Sequence, residues 1–388
     1  MSHTENKKVM IIAGEASGDL HGARLVTAMN QKKAGLSFCG MGGRELASAG
    51  VELLFEAKRI AVVGVTEVLS HLPDIFLAKK ILKRRMREDR PDLLILIDFP
   101  DFNFILAKYA EKLGIPVYYY ISPQVWAWRS YRVKTMKKLV KKIGVILPFE
   151  ERFFRDRGVS ASYVGHPLLD SVRAGCSREE FCQVHDIKRS SVLIGLIPGS
   201  RKKEIASLLP VLLQSASKIV SASDKRIVFL LPVASTLSEQ EIRQNGVDAF
   251  GEGIDLRLIT ANRYDMMAAC DAALVASGTV TLELALLDTP MVVFYKTSPL
   301  TFRLGKWLIG KKLKYFSLVN LIADQLVVTE LIQDEVTAER LSHELSLLLF
   351  DSPKRAEVEK GLALVRDCMG KPGASGKSAD LALSLIGF

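Results

Sequence analysis

Cysteine is scarce in this chain of 388 residues, which has five cysteines at scattered positions and no C-x-x-C pair. That number and spacing fit neither a disulfide framework nor a zinc site. Long apolar runs are also missing, since no stretch reaches the roughly 18 apolar residues that span a bilayer. The first eight residues, MSHTENKK, lack the apolar core of a secretory signal. We therefore expect a cytoplasmic protein that is soluble or lies on a membrane surface.

Three common active-site motifs are absent as well. The chain has neither the G-x-x-x-x-G-K-[ST] loop of nucleotide hydrolases nor the G-x-G-x-x-G loop of nicotinamide enzymes. It also has no H-E-x-x-H pair and no cluster of Cys or His. We therefore expect no catalytic metal and no cofactor.

The composition is that of a globular protein of two or three domains, with 48% apolar and 25% charged residues. Its net charge of +10 is concentrated in three stretches. Residues 79–90, 129–142 and 303–314 hold 19 basic and two acidic side chains, which leaves a net charge of −7 for the rest of the chain. Such patches suit phosphates, an anionic membrane surface or nucleic acid.

Short apolar segments alternate with amphipathic stretches, which predicts parallel strands joined by helices. The expected strands are residues 9–13, 93–97, 117–121, 143–147, 163–165, 192–197, 227–231, 256–260, 272–275 and 291–294. We expect an α/β protein with two doubly wound, Rossmann-like domains that face a cleft. The domains are residues 1–170 and 171–335, divided in the polar region 168–190, and a helical tail, 336–388, packs on the first domain or on a dimer partner.

Two loops of the second half are candidates for binding a nucleotide, because ligands of open α/β sheets bind at the carboxyl ends of the strands. They contain Gly199, Ser200 and Arg201 after one strand and Ser277, Gly278 and Thr279 after another. Free N–H groups at a helix start and a forked cation suit a diphosphate, and Glu283 can accept both hydroxyls of a ribose. The ordinary alternative is a pair of capped helices, with a solvated arginine and an acidic residue favoured by the helix dipole.

Asp98 is the main candidate for a general base. It follows five apolar residues at a strand end, where burial raises the pKa of a carboxyl toward neutrality. Alternatively, Asp98 or Asp101 simply caps the helix that starts near Pro100. Glu15 lies in a glycine-flanked loop, before a helix that we expect from about Leu20, and is a candidate second carboxylate, although the glycines can serve packing alone. His166 follows a strand and suits a cleft, whereas most isolated histidines are structural.

Three further segments combine aromatic or apolar residues with basic ones. Residues 122–129 hold two of the three tryptophans, whose rings, with Gln124 and Arg129, form either the floor of a sugar or acyl site or a wedge against the sheet. Residues 131–143, placed on a helical wheel, separate into an apolar face and a lysine face, which fits either anionic lipid or a solvated surface. The mixture in 299–316 favours contact with a membrane interface. The residues expected to make that contact are Phe302, Trp307, Lys311 and Lys312.

The sequence resembles the lipid-A-disaccharide synthase family, inverting glycosyltransferases of the two-domain GT-B fold. The resemblance rests on ten segments: GEASGDLHGA (14–23), VVGVTEVL (62–69), LIDFPDFN (96–103), ISPQVWAWR (121–129), LPFE (147–150), VGHPLLD (164–170), IPGSRKKEI (197–205), ASGTVTLELA (276–285), PMVVFYK (290–296) and VNLIA (319–323). GEASGD and SPQVWAWR are highly specific, whereas PGSR and SGT occur in other nucleotide-sugar enzymes. Arg44 and Val319 stand where the family often has proline.

The resemblance implies condensation of UDP-2,3-diacylglucosamine with 2,3-diacylglucosamine 1-phosphate to a β-1,6-linked disaccharide and UDP. It implies catalysis by Asp98 with Glu15. The UDP-sugar site implied is Gly199, Ser200, Arg201, Ser277, Gly278, Thr279, Glu283 and Asn320. We expect the acceptor to contact Ser17, Asn103, Gln124, Trp126 and His166.

The implied location is the cytoplasmic face of the inner membrane of a Gram-negative bacterium, with peripheral attachment to anionic lipid. The family also implies a possible homodimer with an exchanged C-terminal segment. The alternatives are another GT-B enzyme acting on UDP-N-acetylglucosamine, either an epimerase or a glycolipid N-acetylglucosaminyltransferase, and a basic nucleic-acid-binding protein. No helix-turn-helix, zinc-finger or ribonucleoprotein signature supports the last, so we expect no nucleic-acid partner.

Overall fold

The apolar runs of the sequence form the strands of two parallel sheets. The structure is a computed structural model that describes residues 6–60, 65–234, 237–247, 253–298, 302–303 and 314–388, with the backbone alone at 65–71. The chain divides into two compact units, hereafter unit 1 (Met1–Asp170 with Lys371–Phe388) and unit 2 (Ser171–Gly370). The segment 336–388, expected as one tail, is thus shared between the units.

The sheet of unit 1 has seven parallel strands in the order β3-β2-β1-β4-β5-β6-β7. The strands are β1 Lys7–Ala13, β2 Leu36–Gly42, β3 Glu52–Glu56, β4 Leu93–Ile97, β5 Val117–Tyr120, β6 Lys142–Val145 and β7 Ala161–Tyr163. Buried side chains of β1 alternate between the two faces, with Met10 in one apolar core and Ile11 in the other. A strand buried on both faces reads as a continuous apolar run, and β1, β4 and β5 were predicted for that reason.

The sheet of unit 2 has six parallel strands in the order β10-β9-β8-β11-β12-β13. They are β8 Val192–Ile197, β9 Ile227–Pro232, β10 Asp255–Ile259, β11 Ala272–Ala276, β12 Met291–Tyr295 and β13 Glu330–Ile332. The order reverses direction at β8, so β9 and β11 flank it, and the loops after β8 and β11 lie side by side at one edge.

Helices connect the strands in both units. The α-helices of the described residues are α1 Ala16–Lys32, α2 Arg44–Ser48, α3 Val65–Glu88, α4 Pro100–Lys112, α5 Arg132–Leu139, α6 Pro148–Arg155, α7 Leu168–Ser171, α8 Arg178–Val184, α9 Lys202–Ser221, α10 Glu239–Ile242, α11 Arg263–Ala269, α12 Val280–Leu286, α13 Leu318–Ala323, α14 Ala338–Phe350, α15 Ser352–Met369 and α16 Ala374–Ser384. The C-terminal α16 belongs to unit 1, where the Ser378 and Tyr118 hydroxyls form a 2.8 Å hydrogen bond. Within the described parts of the chain, no helix is long and apolar enough to cross a membrane.

Two predicted helices differ from the observed ones. The helical wheel drawn over 131–143 is wrong beyond Leu139, where α5 ends and the chain turns into β6. Val133 and Met136 are buried as expected, but Ile143 is buried as part of a strand. At the other end of the chain, α1 begins at Ala16 and not near Leu20, so Ser17 lies in a helical turn.

Candidate functional site

Asp98 lies directly after β4, in a backbone conformation that side chains rarely adopt. Its φ is 41° and that of Phe99 is 43°, both in the left-handed region. Two donors hold the Asp98 carbonyl oxygen: the amide Nδ2 of Asn103 at 2.7 Å and the hydroxyl of Tyr119 at 2.5 Å. The side chain of Asp98 is therefore aimed by a turn that is itself fixed by buried groups.

The carboxyl of Asp98 has the electrostatics of a base that works near neutral pH. Burial, and then the nearby Glu15 carboxylate, raise its pKa to about 6. Glu15 is exposed at the N-terminus of α1. A Cβ on Gly14 would overlap the ring of Phe99, so the glycine allows the two turns to pack together. The structure places neither Asp98 nor Asp101 at the cap of α4, because that position is occupied by Phe99 and Asp101 lies inside the first helical turn.

The five residues expected to bind the acceptor fall into two groups. Ser17 and Gln124 are exposed. The other three, Asn103, Trp126 and His166, are held in internal hydrogen bonds. Asn103 binds the Asp98 carbonyl as described, and the indole N–H of Trp126 donates to Glu150 Oε1 at 3.0 Å. His166 Nδ1 accepts a hydrogen bond from the backbone N–H of Leu168 at 3.1 Å. Burial lowers the pKa of His166 to about 4, so its imidazole is neutral at pH 7.

Glu150 was not predicted to have a role of its own. It is 1% exposed, and its carboxylate accepts hydrogen bonds from the Trp126 indole N–H and from the backbone N–H of Leu147, the latter at 3.1 Å. These bonds connect the loop 122–129 to the start of α6. Burial raises its pKa to about 7. From sequence, LPFE was noticed only as a family motif, because the partner of this carboxylate lies 24 residues earlier in the chain.

Unit 2 has a cavity of about 670 Å³ at the carboxyl ends of its strands. The cavity is lined by seven of the eight residues expected at the UDP-sugar site, namely Gly199, Ser200, Arg201, Ser277, Gly278, Thr279 and Glu283. Asn262, Arg263 and Lys296, which the sequence analysis did not select, also line it. They follow β10 and β12, and the rule that loops after parallel strands carry ligand contacts would have found them.

The loop after β8 brings a cation and a carboxylate to the start of α9. Gly199 has a φ of +113°, and a Cβ there would overlap the carboxylate of Glu204. Arg201 Nη1 lies 3.1 Å from Glu204 Oε1, and the Arg201 side chain is 72% exposed. An exposed ion pair of this kind is weak, so Arg201 can exchange Glu204 for a ligand anion.

The loop after β11 leaves space where a ligand can approach its backbone. A Cβ on Gly278 would meet no protein atom within 4 Å, and its φ is not in the left-handed region. Neither protein packing nor backbone conformation therefore requires glycine at this position. An unobstructed backbone at the start of α12 suits a diphosphate.

Glu283 lies one turn further along α12 and is bound by two side chains of α11. Arg263 Nη2 donates to Glu283 Oε1 at 2.7 Å, and the Tyr264 hydroxyl donates to the same oxygen at 3.4 Å. Burial raises the pKa of Glu283, and the Arg263 guanidinium opposes that shift. Arg263 therefore favours the ionised carboxylate that would accept ribose hydroxyls.

Asn320 is not part of the cavity lining. Its buried amide donates to the Val328 carbonyl at 2.9 Å and to Glu330 Oε1 at 2.8 Å, and its Oδ1 accepts from the backbone N–H groups of Val327 and Val328. All its hydrogen-bonding groups are used inside the protein. Asn320 thus links α13 to β13 and to the segment before it through hydrogen bonds. It is not among the residues that line the expected donor site.

Of the four residues expected at a membrane, only one is described. Phe302 is half-buried, whereas Trp307, Lys311 and Lys312 lie outside the described residues. Across the described ranges, no group of three or more His, Cys, Asp or Glu side chains is arranged to hold a metal ion.

Comparison with known proteins points to a single family. A family model described as lipid-A-disaccharide synthetase matches residues 9–378. The lipid-A-disaccharide synthase of Syntrophus aciditrophicus is 47% identical over 381 residues, which are 98% of this chain and 98% of that protein. The lipid-A-disaccharide synthase of Geobacter metallireducens is 45% identical over 387 residues, 100% of this chain and 99% of that protein.

Solved structures resemble the chain at much lower identity. The calicheamicin glycosyltransferase CalG4 has a TM-score of 0.60 at 13% identity, with 99% of each chain covered. MurG of Acinetobacter baumannii has a TM-score of 0.60 at 16% identity, with 97% of this chain and 99% of that chain covered. Likeness at this identity concerns the fold alone, and it confirms the predicted GT-B class.

Proposed function

This chain belongs to the lipid-A-disaccharide synthase family, and we propose that it condenses UDP-2,3-diacylglucosamine with 2,3-diacylglucosamine 1-phosphate. The products are the β-1,6-linked disaccharide 1-phosphate and UDP. The observation that carries this proposal is the cavity of unit 2, where two loops at helix starts and one buried carboxylate line the same space. That combination suits a nucleoside diphosphate.

In the proposed donor site, the diphosphate lies against the starts of α9 and α12. Arg201 leaves Glu204 and pairs with the phosphates, while the backbone at Gly278 allows close approach. Glu283, whose ionised form is favoured by its bond to Arg263, accepts the ribose hydroxyls. These fixed donors stabilise the negative charge that grows on UDP as the bond to the sugar breaks, so no metal is needed for that step.

In the proposed acceptor site, Asp98 takes the proton of the acceptor 6-hydroxyl. The oxygen then attacks the anomeric carbon of the donor from the face opposite UDP, which inverts its configuration. Asn103 and Tyr119 hold the Asp98 backbone, and burial, with a smaller contribution from Glu15, raises the pKa of the carboxyl so that it can accept a proton near pH 7. The exposed Ser17 and Gln124 are the proposed acceptor contacts.

We also propose that the protein works at the cytoplasmic face of the inner membrane of a Gram-negative bacterium, bound to anionic lipid. Both substrates are acylated, and α3 supports the assignment with exposed apolar side chains beside its lysines. Leu72, Phe76 and Leu77 are 37%, 57% and 41% exposed, and Lys79 lies over the Phe76 ring. Such a mixture suits a membrane interface. A homodimer with an exchanged C-terminal segment stays a prediction.

The test is direct. Purified protein is incubated with the two diacylglucosamine substrates in neutral detergent micelles, and UDP and disaccharide are measured. We expect both products in equal amounts with wild type and neither with Asp98→Asn. Absence of product from folded wild-type protein would refute the proposed function, and wild-type turnover by the Asp98→Asn variant would refute the role of Asp98 alone.

A further inference from the structure

Three charged side chains form a cluster at the edge of unit 1 that carries Asp98, and the proposed reaction gives them no role. Arg129 Nη1 lies 3.3 and 3.4 Å from the two carboxylate oxygens of Asp101, and Arg132 Nη2 donates to the first of these oxygens. Two guanidinium groups share a single carboxylate, so the cluster has a net charge of +1.

The two arginines are fixed more firmly than the aspartate between them. The Arg129 guanidinium lies over the Trp128 ring, 3.8 Å from its centroid, and that of Arg132 faces the Phe104 ring at 5.6 Å. The backbone N–H of Arg132 donates to the Arg129 carbonyl at 2.9 Å, which holds both residues in one turn. Their side chains are 29% and 14% exposed, whereas that of Asp101 is 74% exposed. Asp101 can therefore leave for solvent at little cost.

The cluster also lies beside Asp98. Asp101 is in the first turn of α4, three residues after Asp98, and the arginines follow β5, which pairs with β4 in parallel. The charges of Asp98, Asp101 and Arg132 all act on the Tyr119 hydroxyl, which donates to the Asp98 carbonyl. A ligand that reaches the Asp98 carboxylate is thus within reach of the arginine pair.

We propose that Arg129 and Arg132 bind the phosphate monoester of the acceptor, which takes the place of the Asp101 carboxylate. Arginine forks match phosphate oxygens two at a time, and a phosphate dianion attracts two guanidinium groups more strongly than one carboxylate does. The 1-phosphate and 6-hydroxyl flank the ring oxygen of one sugar, so a fixed phosphate limits where the hydroxyl lies. This inference rests on the proposed function, because it assigns part of the same acceptor.

The test compares phosphorylated and dephosphorylated diacylglucosamine as acceptors for wild type, Arg129→Gln, Arg132→Gln and Asp101→Asn. The matched control is Arg84→Gln on α3, which removes an exposed arginine paired with Glu88. In neutral micelles, we expect each cluster arginine variant to raise the KM for the phosphorylated acceptor about 10- to 100-fold. Its kcat/KM for the dephosphorylated acceptor should stay within about twofold of wild type. Asp101→Asn should leave the KM for the phosphorylated acceptor unchanged or lower it.

Several results would overturn the inference. Equal losses on both acceptors would indicate a structural role, as would a lower melting temperature or a weaker affinity for UDP. If wild type does not use the dephosphorylated acceptor, the melting temperature and the UDP affinity of each arginine variant still distinguish a structural role from phosphate binding. Losses that appear only on anionic vesicles, and not in neutral micelles, would assign the arginines to membrane lipid. Wild type that makes no disaccharide refutes the proposed function, whereas an active wild type with insensitive variants refutes this inference alone.

Discussion

Replacement of Glu15 by Gln tests the source of the basicity of Asp98. The pKa of Asp98 rises from 3.8 to about 6, and the causes are burial first and the Glu15 carboxylate second. Glu15→Gln removes the second cause and leaves the burial. Since the smaller of the two contributions is lost, we expect the pKa of Asp98 to fall by about 0.5–1 unit.

The assay is the dependence of kcat/KM on pH. The proposed base must be ionised, so wild-type activity should rise with pH through an acid limb near 6. In Glu15→Gln the limb should move to lower pH by about 0.5–1 unit, whatever happens to the maximal rate. The acceptor phosphate also titrates near pH 6, but it is the same for every variant, so the difference between variants isolates the enzyme.

A matched control is Glu88→Gln, which removes a carboxylate from the exposed end of α3, where it pairs with Arg84. Glu88→Gln should leave the acid limb of kcat/KM at the same pH as in wild type. The reasoning is refuted if Glu15→Gln leaves the limb unmoved or shifts it upward, since removal of a neighbouring negative charge can only lower the pKa of Asp98.

Three other variants test the remaining assignments. Gly278→Ala should leave the free energy of unfolding within about 0.5 kcal/mol of wild type, because its Cβ meets open space, yet weaken UDP binding about tenfold by calorimetry; unchanged UDP affinity would contradict the donor site. Asn320→Ala should lower the free energy of urea unfolding by about 1–3 kcal/mol, because four internal hydrogen bonds are lost; a loss of UDP affinity at full stability would instead assign Asn320 to the ligand. Burial raises the pKa of Glu150 to about 7, so the stability it contributes is fully present below its unfolded value near 4.5 and is lost as pH rises through 7. Glu150→Gln should therefore remove a fall in unfolding free energy between about pH 5 and 8, and a variant profile parallel to that of wild type would refute this.

Most strands of the two sheets were predictable, including β10 at one sheet edge, whereas β2, β3 and β13 were not. β1, β4, β8 and β11 are buried on both faces, so each is a run of apolar residues that periodicity identifies. The three strands that were not predicted are β3 at one edge of the unit 1 sheet, β2 beside it, and β13 at one edge of the unit 2 sheet. Their burial is mixed along the strand, and a glycine-rich segment such as LSFCGMG carries no clear pattern of either period.

The sequence by itself determined the family, the positions of the buried strands along the chain and the loops that carry the candidate residues, because these depend on local pattern and on motifs along the chain. The tertiary structure decided which of those residues have their polar side-chain groups bonded inside the protein and which present them to a ligand. Asn320 and Trp126 use their polar groups on partners inside the protein, whereas Arg263 and Arg132, which no motif includes, lie beside the proposed sites. Their partners Val327, Glu150, Glu283 and Asp101 lie between 7 and 31 residues away in sequence. Hydrogen bonds and burial over such separations are set by the packing of strands and loops, and local sequence does not encode them.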